Sequence, residues 1–356
     1  MPDFTRYIGI DYSGAQTPTA SLRGLRVYLA ESGGVPGEAP PPPSPRKYWT
    51  RKGVAHWLVE CLSEDVPTLV AIDHGFSFPL RYFEVHGLEP DWPAFLDDFQ
   101  RHWPTDEDHI YVDFVRNGVA GSGAARAGDA HWRRLTEEQA SGAKSVFHYD
   151  VPGSVAKSTH AGIPWLRYIR QRLGSRVHFW PFDGWNIPSG RSAIAEVYPA
   201  LWSDGFAAED RTSDQHEAFS IAAWLSRADR DGTLAAFLKP DLSPSEHTVA
   251  QVEGWILGVP GSIGLDTRKN SQGKQTSRQN PVRTKRVQTM RTTEPGYTNK
   301  NDQIVVRNTD NPGNDYNQVV YVLRCTHCKN EYGANGSDIW QRRCPACQNG
   351  AMGLDC

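Results

Sequence analysis

The chain reads as an α/β body followed by a small cysteine-bound domain, and three observations lead there. Short apolar runs that end in an acid or a turn alternate with segments of helical periodicity as far as residue 262. The next stretch, 263–295, has no apolar periodicity and is rich in Ser, Thr, Gln, Asn and Arg. Five of the six cysteines follow residue 324, four of them as two C-x-x-C pairs. These boundaries give a body at 1–262, a basic flexible linker at 263–295 and a C-terminal domain at 296–356.

Taken in order, YIGIDYSGAQ predicts a buried strand and its exit turn. GLRVYLAES (24–32) and RKYWT (46–50) predict two further strands, separated by the polyproline stretch VPGEAPPPPSPR, a stiff surface loop. GVAHWLVECLSE (53–64) has helical spacing with Cys61 on its apolar stripe, and VPTLVAIDHGFSFP predicts the next strand. The Gly- and charge-rich region 80–160 reads as an insertion with short helices. Its NGVAGSGAARAGD lacks the Lys-Ser/Thr of a phosphate loop and reads as a mobile loop. GIPWLRYIRQRLG predicts a helix, RVHFWPF and SAIAEVYPALW two strands, and SDQHEAFSIAAWLSRADRDG a helix capped by Ser213 or Asp214. VEGWILGVPG closes the body. Trp57, Trp165, Trp224 and Trp255 fall in helical apolar patterns and are expected in the core, whereas Trp185 and Trp340 are candidates for stacking on unpaired bases.

With 356 residues, 38 % hydrophobic and 22 % charged, the chain can bury a core, which excludes wholesale disorder. Mean hydropathy is −0.56, and no apolar run approaches the ~18 residues of a membrane helix. The opening MPDFTRYIGI lacks the form of a signal peptide. A soluble, cytoplasmic protein is expected. The net charge of −3 conceals an asymmetry: 24 basic against 34 acidic residues in 1–267, but 9 against 1 in 268–300.

Acids stand at four strand or helix ends: Asp11, Asp73, Glu196 and the Asp214/Glu217 pair, whose spacing of three shares one helix face. Carboxylates gathered at one sheet edge repel unless cations bind, and hard oxygen donors suit Mg²⁺ or Mn²⁺. Two such ions can activate water and stabilise the leaving oxygen in phosphodiester cleavage. Lys157, Ser158 and His160 in GSVAKSTHAG, and His74 beside Asp73, are candidates for phosphate contact or proton transfer. Arg191 precedes the Glu196 strand and is expected at the same edge.

The order of elements, with GIDYSGA, VAIDHGFSFP, AEVYPALW and DQHEAFSIAAWL, resembles the predicted-nuclease family filed as domain of unknown function 429, over residues 5–260. That resemblance implies a ribonuclease H-like fold, a mixed sheet flanked by helices. It implies catalytic roles for Asp11 on the central first strand, Asp73 on the fourth, and Asp214 with Glu217 at the last helix. Glu196 matches the family's Glu-x-Tyr-Pro element. Where the family pattern leads us to expect Asp, the chain has Glu217, which leaves open which of Asp214 and Glu217 touches metal. GIDYSGA also resembles the first phosphate loop of actin-like ATPases and sugar kinases, but a second such domain, a second phosphate loop and an adenosine motif are missing.

Cys325 and Cys328 form one knuckle and Cys344 and Cys347 another, with 15 residues between. Four thiolates on two turns predict the closed tetrahedral site of a structural Zn²⁺, a zinc ribbon. QVVYVLRC and DIWQRRC read as strands entering the two knuckles; His327 reads as a bystander and Cys356 as free. The linker's Arg268, Lys269, Lys274, Arg278, Arg283, Lys285, Arg286 and Arg291 can neutralise phosphates without sequence preference. The reading is therefore a metal-dependent nuclease whose substrate, DNA or RNA, is held by linker and ribbon, with Arg283, Lys285 and Arg286 among the contacts. The alternative is a non-catalytic nucleic-acid or protein-binding adaptor on the same scaffold.

Overall fold

The computed structural model describes residues 3–42, 46–140, 142–151, 153–261, 292–312, 319–336 and 338–354. The chain divides into two compact units, Met1–Gly273 and Lys274–Cys356, with the boundary inside the stretch expected to be a linker.

The first unit is a mixed seven-stranded sheet with helices on both faces. Strand β1 (Arg6–Asp11) is central. On one side it pairs antiparallel with β2 (Arg26–Glu31), which carries the two-residue β3 (Gly37–Glu38). On the other side it pairs parallel with β4 (Thr68–Asp73), followed by parallel β6 (Ser192–Val197), which is flanked by β5 (Val177–Phe179) and β7 (Ile256–Leu257). Alternation along each strand sorts the two cores. Ile8, Ile10, Val70, Ile72 and Ile194 face the layer of α1 (Arg51–Ser63) and α6 (Ala156–Leu173). Tyr7, Leu69, Ala71, Ala193 and Ala195 face α7 (Ser213–Arg230). Between β4 and α6 lie four short helices, α2 (Leu80–His86), α3 (Trp92–His102), α4 (Val112–Arg116) and α5 (Leu135–Gln139). After α7 come α8 (Leu234–Phe237) and α9 (Pro244–Glu253).

Three details correct the sequence reading. RKYWT is not a strand: the prolines before it have no N–H for a ladder, the short β3 supplies the edge, and Thr50 caps α1 by accepting from Gly53 N at 2.9 Å. Helix α6 begins six residues earlier than expected and contains Pro164. Proline cannot donate to the carbonyl four residues back, and Thr105 Oγ1 donates to that His160 carbonyl instead, at 2.7 Å. Helix α7 is capped by Thr212, whose hydroxyl accepts from Gln215 N at 3.3 Å while the Gln215 side chain accepts from Thr212 N, a capping box.

Gly9 sets how closely α7 lies on the sheet. A Cβ there would stand 2.4 Å from the Ala218 carbonyl oxygen and 2.6 Å from Ala222 N. Only a glycine on β1 facing alanines on α7 permits this approach, and it brings Glu217, beside Ala218, to the end of β1.

The second unit is a three-stranded antiparallel sheet, ordered β10-β9-β8, of β8 (Gln303–Pro312), β9 (Val319–Cys325) and β10 (Glu331–Asn335). Val305, Leu323, Tyr332, Ala334 and Ile339 form its small core. The expected strand at DIWQRRC is a 3-10 turn over Ile339–Gln341. Among the described residues no helix is long and apolar enough to cross a membrane.

Gly9→Ala is expected to cost about 1–3 kcal/mol, because α7 must move away to admit one methyl group. Gly205→Ala, with nothing within 4 Å of its Cβ position, should stay within about 0.5 kcal/mol. Urea unfolding of both variants checks the contrast.

Candidate metal centres

Asp11 and Asp73 are the last residues of β1 and β4 and are register partners in a parallel pair, so their side chains leave the same end of the sheet on the same face. That face is the one α7 covers, and Glu217 comes down onto it. One carboxylate oxygen from each of Asp11, Asp73 and Glu217 lies within 4.8 Å of the others. Asp73 is half-buried, but its Oδ1 is shielded from solvent and has no hydrogen-bond partner among the described residues.

The electrostatics follow from this crowding. Burial, then the charges of Asp73, Glu217 and Asp214, push Asp11 well above the usual carboxylate range, with Arg26 opposing. Burial, then Glu217 and Glu196, do the same to Asp73. Burial and Asp214 raise Glu217. A cation is what such a group lacks. Three convergent oxygens, one of them buried and unpartnered, fit a hard divalent ion. Asp214 stands at the rim, near Ser13 across Gly24, and is not one of the three clustered acids.

Glu196 is placed differently from its expected partners. Its register partner is Ile72, not Asp73, and a step of one residue turns a side chain to the other face. There Arg134 Nη2 and Nη1 donate to its two oxygens at 2.6 and 2.7 Å, and Phe76 N donates to it at 3.0 Å. Arg134 is itself buried and also donates from Nε to Glu137 at 2.8 Å. Burial works against its charge, but Glu196 and Glu137 hold the guanidinium pKa above its ordinary value. The Glu196 carboxylate therefore clamps the turn that follows Asp73.

The polar candidates on α6 are engaged as well. Lys157 Nζ pairs with Asp113 at 2.9 Å, and Ser158 Oγ donates to the Tyr12 carbonyl at 2.9 Å. His160 is buried among Phe78, Trp103 and Tyr149, and burial lowers its pKa to about 3. His74 is also buried, bonds through Nδ1 to the Gly75 carbonyl at 2.9 Å and is lowered to about 4. Neither imidazole is placed as a surface proton donor. Arg191 precedes the first residue of β6, so it lies at the sheet edge opposite the acids, because a parallel strand carries its two ends to opposite edges. Arg283, Lys285 and Arg286 lie outside the described residues.

In the second unit the four cysteines come together: Cys325 Sγ lies 3.6 Å from Cys347 Sγ, and Cys328 Sγ 3.5 Å from Cys344 Sγ. Burial would raise the Cys325 thiol, but the N–H groups of Cys328 and His327 outweigh it and bring it to about 6. Gln303 links this cluster to its support: Nε2 approaches Cys325 Sγ at 3.8 Å and donates to Gln348 Oε1 at 2.9 Å, which also accepts from Cys344 N at 2.8 Å. The set suits a tetrahedral thiolate-bound ion. His327 faces Asp302, 3.2 Å away, and is not among the clustered ligands.

Comparison of the chain with protein-family models, with curated proteins and with solved structures gives no match.

Four residues at or behind these centres escaped the sequence reading. Arg26 is the register partner of Asp11 across the β1–β2 hairpin, which strand pairing could have revealed. Tyr198 stands in the field of the acids: burial, Asp73 and Glu217 raise its phenol pKa. Arg134 lies in the irregular insertion and Gln303 at a strand start, where no periodicity marks a partner.

Metal-free protein should be more stable as Asp73→Asn than as wild type at neutral pH. Carboxylates with raised pKa bind more protons folded than unfolded, so wild-type stability should rise as pH falls from their native pKa toward the unfolded value near ~3.9. Asp73→Asn should flatten that rise and lift Tm by about 2–4 °C per kcal/mol of strain relieved. Calorimetry from pH 5 to 8 reads both.

Proposed function

We propose that the chain is a metal-dependent nuclease with a ribonuclease H-like body, and that its C-terminal unit is a zinc ribbon. The observation that carries the catalytic part is the triad of Asp11, Asp73 and Glu217 with the unpartnered, buried Asp73 oxygen. Asp11, Asp73 and Glu217 would hold Mg²⁺ or Mn²⁺, with Asp214 at the rim to receive a second ion. Such ions, when bound, supply a polarised water and charge stabilisation for phosphodiester hydrolysis. The protein's own part is to fix the carboxylates: strand register aligns Asp11 with Asp73, Gly9 admits α7, and the Arg134–Glu196 pair fixes the turn after Asp73. Tyr198, on the same edge, can donate a hydrogen bond to a phosphate oxygen.

Cys325, Cys328, Cys344 and Cys347 would hold Zn²⁺ as a structural ion. The excess of basic residues between 268 and 300 supports binding of a polyanion that the acidic body would repel. The two parts divide the labour, cleavage in the body and affinity in the tail. A cytoplasmic setting agrees with clustered reduced cysteines.

The adaptor reading has one observation in its favour: Glu196, counted among the expected acids, is neutralised by Arg134. Activity separates the two. Labelled single- and double-stranded DNA and RNA, incubated with Mg²⁺ or Mn²⁺, should be cut by wild type and not with EDTA. Asp11→Asn should lower the rate at least about a hundredfold, the loss expected when several kcal/mol of transition-state stabilisation disappears, and should leave salt-sensitive binding intact. Absence of cutting on all four substrates would favour the adaptor.

The purified chain should carry one zinc, lost in Cys344→Ser. Without it residues 292–354 should become protease-sensitive, since structural zinc contributes about 10–16 kcal/mol to such folds. The 1–273 unit should keep its own melting transition. Metal analysis with limited proteolysis checks this.

A further inference from the structure

At the sheet edge opposite the acids, two cavities of about 620 and 510 Å³ meet. Ser175, in the turn after α6, and Arg191, just before β6, line both. The apolar lining of the first cavity includes the exposed Pro93 and Pro188. The second is polar and includes Arg176 and Ser189.

Arg191 is partly buried, and its guanidinium has no hydrogen bond or ion pair among the described residues. Its neighbours in the first cavity are matched: Arg167 with Asp97 at 2.6 Å, and Arg170 with Asp183 at 2.9 Å. In the second cavity Glu64 is matched by Arg6 at 2.7 Å, and among the described residues Asp65 is the carboxylate there outside an ion pair. Arg176 is also unpaired among the described residues. Two unpaired guanidinium groups and exposed Ser175 and Ser189 thus surround a space whose other wing is apolar.

We propose that this double cavity is a binding site for a nucleoside monophosphate, separate from the carboxylate triad. The phosphate takes the donors of Arg191, with Arg176 and the Ser175 hydroxyl, because a planar guanidinium matches two phosphate oxygens at once. The base lies against Pro93 and Pro188, whose rings present apolar faces to it. The volumes fall within the ~300–1,000 Å³ of small-molecule sites. Strand β6, at ~3.3 Å per residue over its six residues, separates this site from the edge where Asp73 lies. The proposal does not rest on nuclease activity.

Calorimetric titration of the full chain in Mg²⁺-free buffer with adenosine 5′-monophosphate, inorganic phosphate and adenosine tests it. Saturable binding of the monophosphate is expected, at least tenfold tighter than either fragment. Arg191→Ala should weaken it tenfold or more, and so should Ser175→Asp, which places a negative charge on an exposed position that packs no core. Asp73→Asn should leave it unchanged. No saturable binding, equal affinity for inorganic phosphate, or binding lost in Asp73→Asn but kept in both cavity variants would overturn the proposal.

Discussion

Drawing carboxylates out of water costs several kcal/mol unless a counter-charge offsets it, and the N-terminal unit gathers three, one buried and two half-buried. Everything at that end of the sheet either creates the crowding or restrains it. The parallel register of β1 and β4 puts Asp11 and Asp73 side by side. The bare Cα of Gly9 lets α7 press Glu217 against them. Arg26 is the register partner of Asp11, and its Nη1 bonds Glu38. Arg134 is bound to Glu196 on the other face. The fold thus holds a pocket in which the carboxylates outweigh the opposing charge of Arg26, an arrangement that makes sense for a site completed by a metal ion.

The C-terminal unit solves a different problem by similar means. Its core is a handful of side chains around Val305, Leu323 and Tyr332, too few to stabilise a domain of this size alone. The four thiols at its end, tied through Gln303 and Gln348 to the strands, offer the missing cross-link. Charge links the two units in the sequence, acidic before residue 267 and basic just after it.

Much of this was legible in the residues, and the reasons are physical. Apolar runs ending in Asp gave β1 and β4, because a buried strand leaves few alternatives for its side chains. The C-x-x-C spacing gave the thiol cluster outright. What stayed hidden depends on pairing. Glu196 looks like Asp73 in sequence, an acid at the end of an apolar run, yet one residue of register puts it on the opposite face with Arg134. Arg191 adjoins the same strand but at its start, hence at the far edge. His160 reads as a polar helix residue and is in fact enclosed by aromatic rings, since the insertion that covers it has no periodic signal.

The central claim is that Asp11, Asp73 and Glu217 form a divalent-cation site while Glu196 is a structural group. Titration of Mn²⁺ into the full chain, followed by its electron paramagnetic resonance, measures this directly in wild type, Glu217→Gln and Glu196→Gln. The account predicts binding in wild type, at least tenfold weaker binding in Glu217→Gln, and near wild-type affinity in Glu196→Gln, where an amide can still accept from Phe76 N. No Mn²⁺ binding by wild type, or equal loss in the two variants, would contradict it.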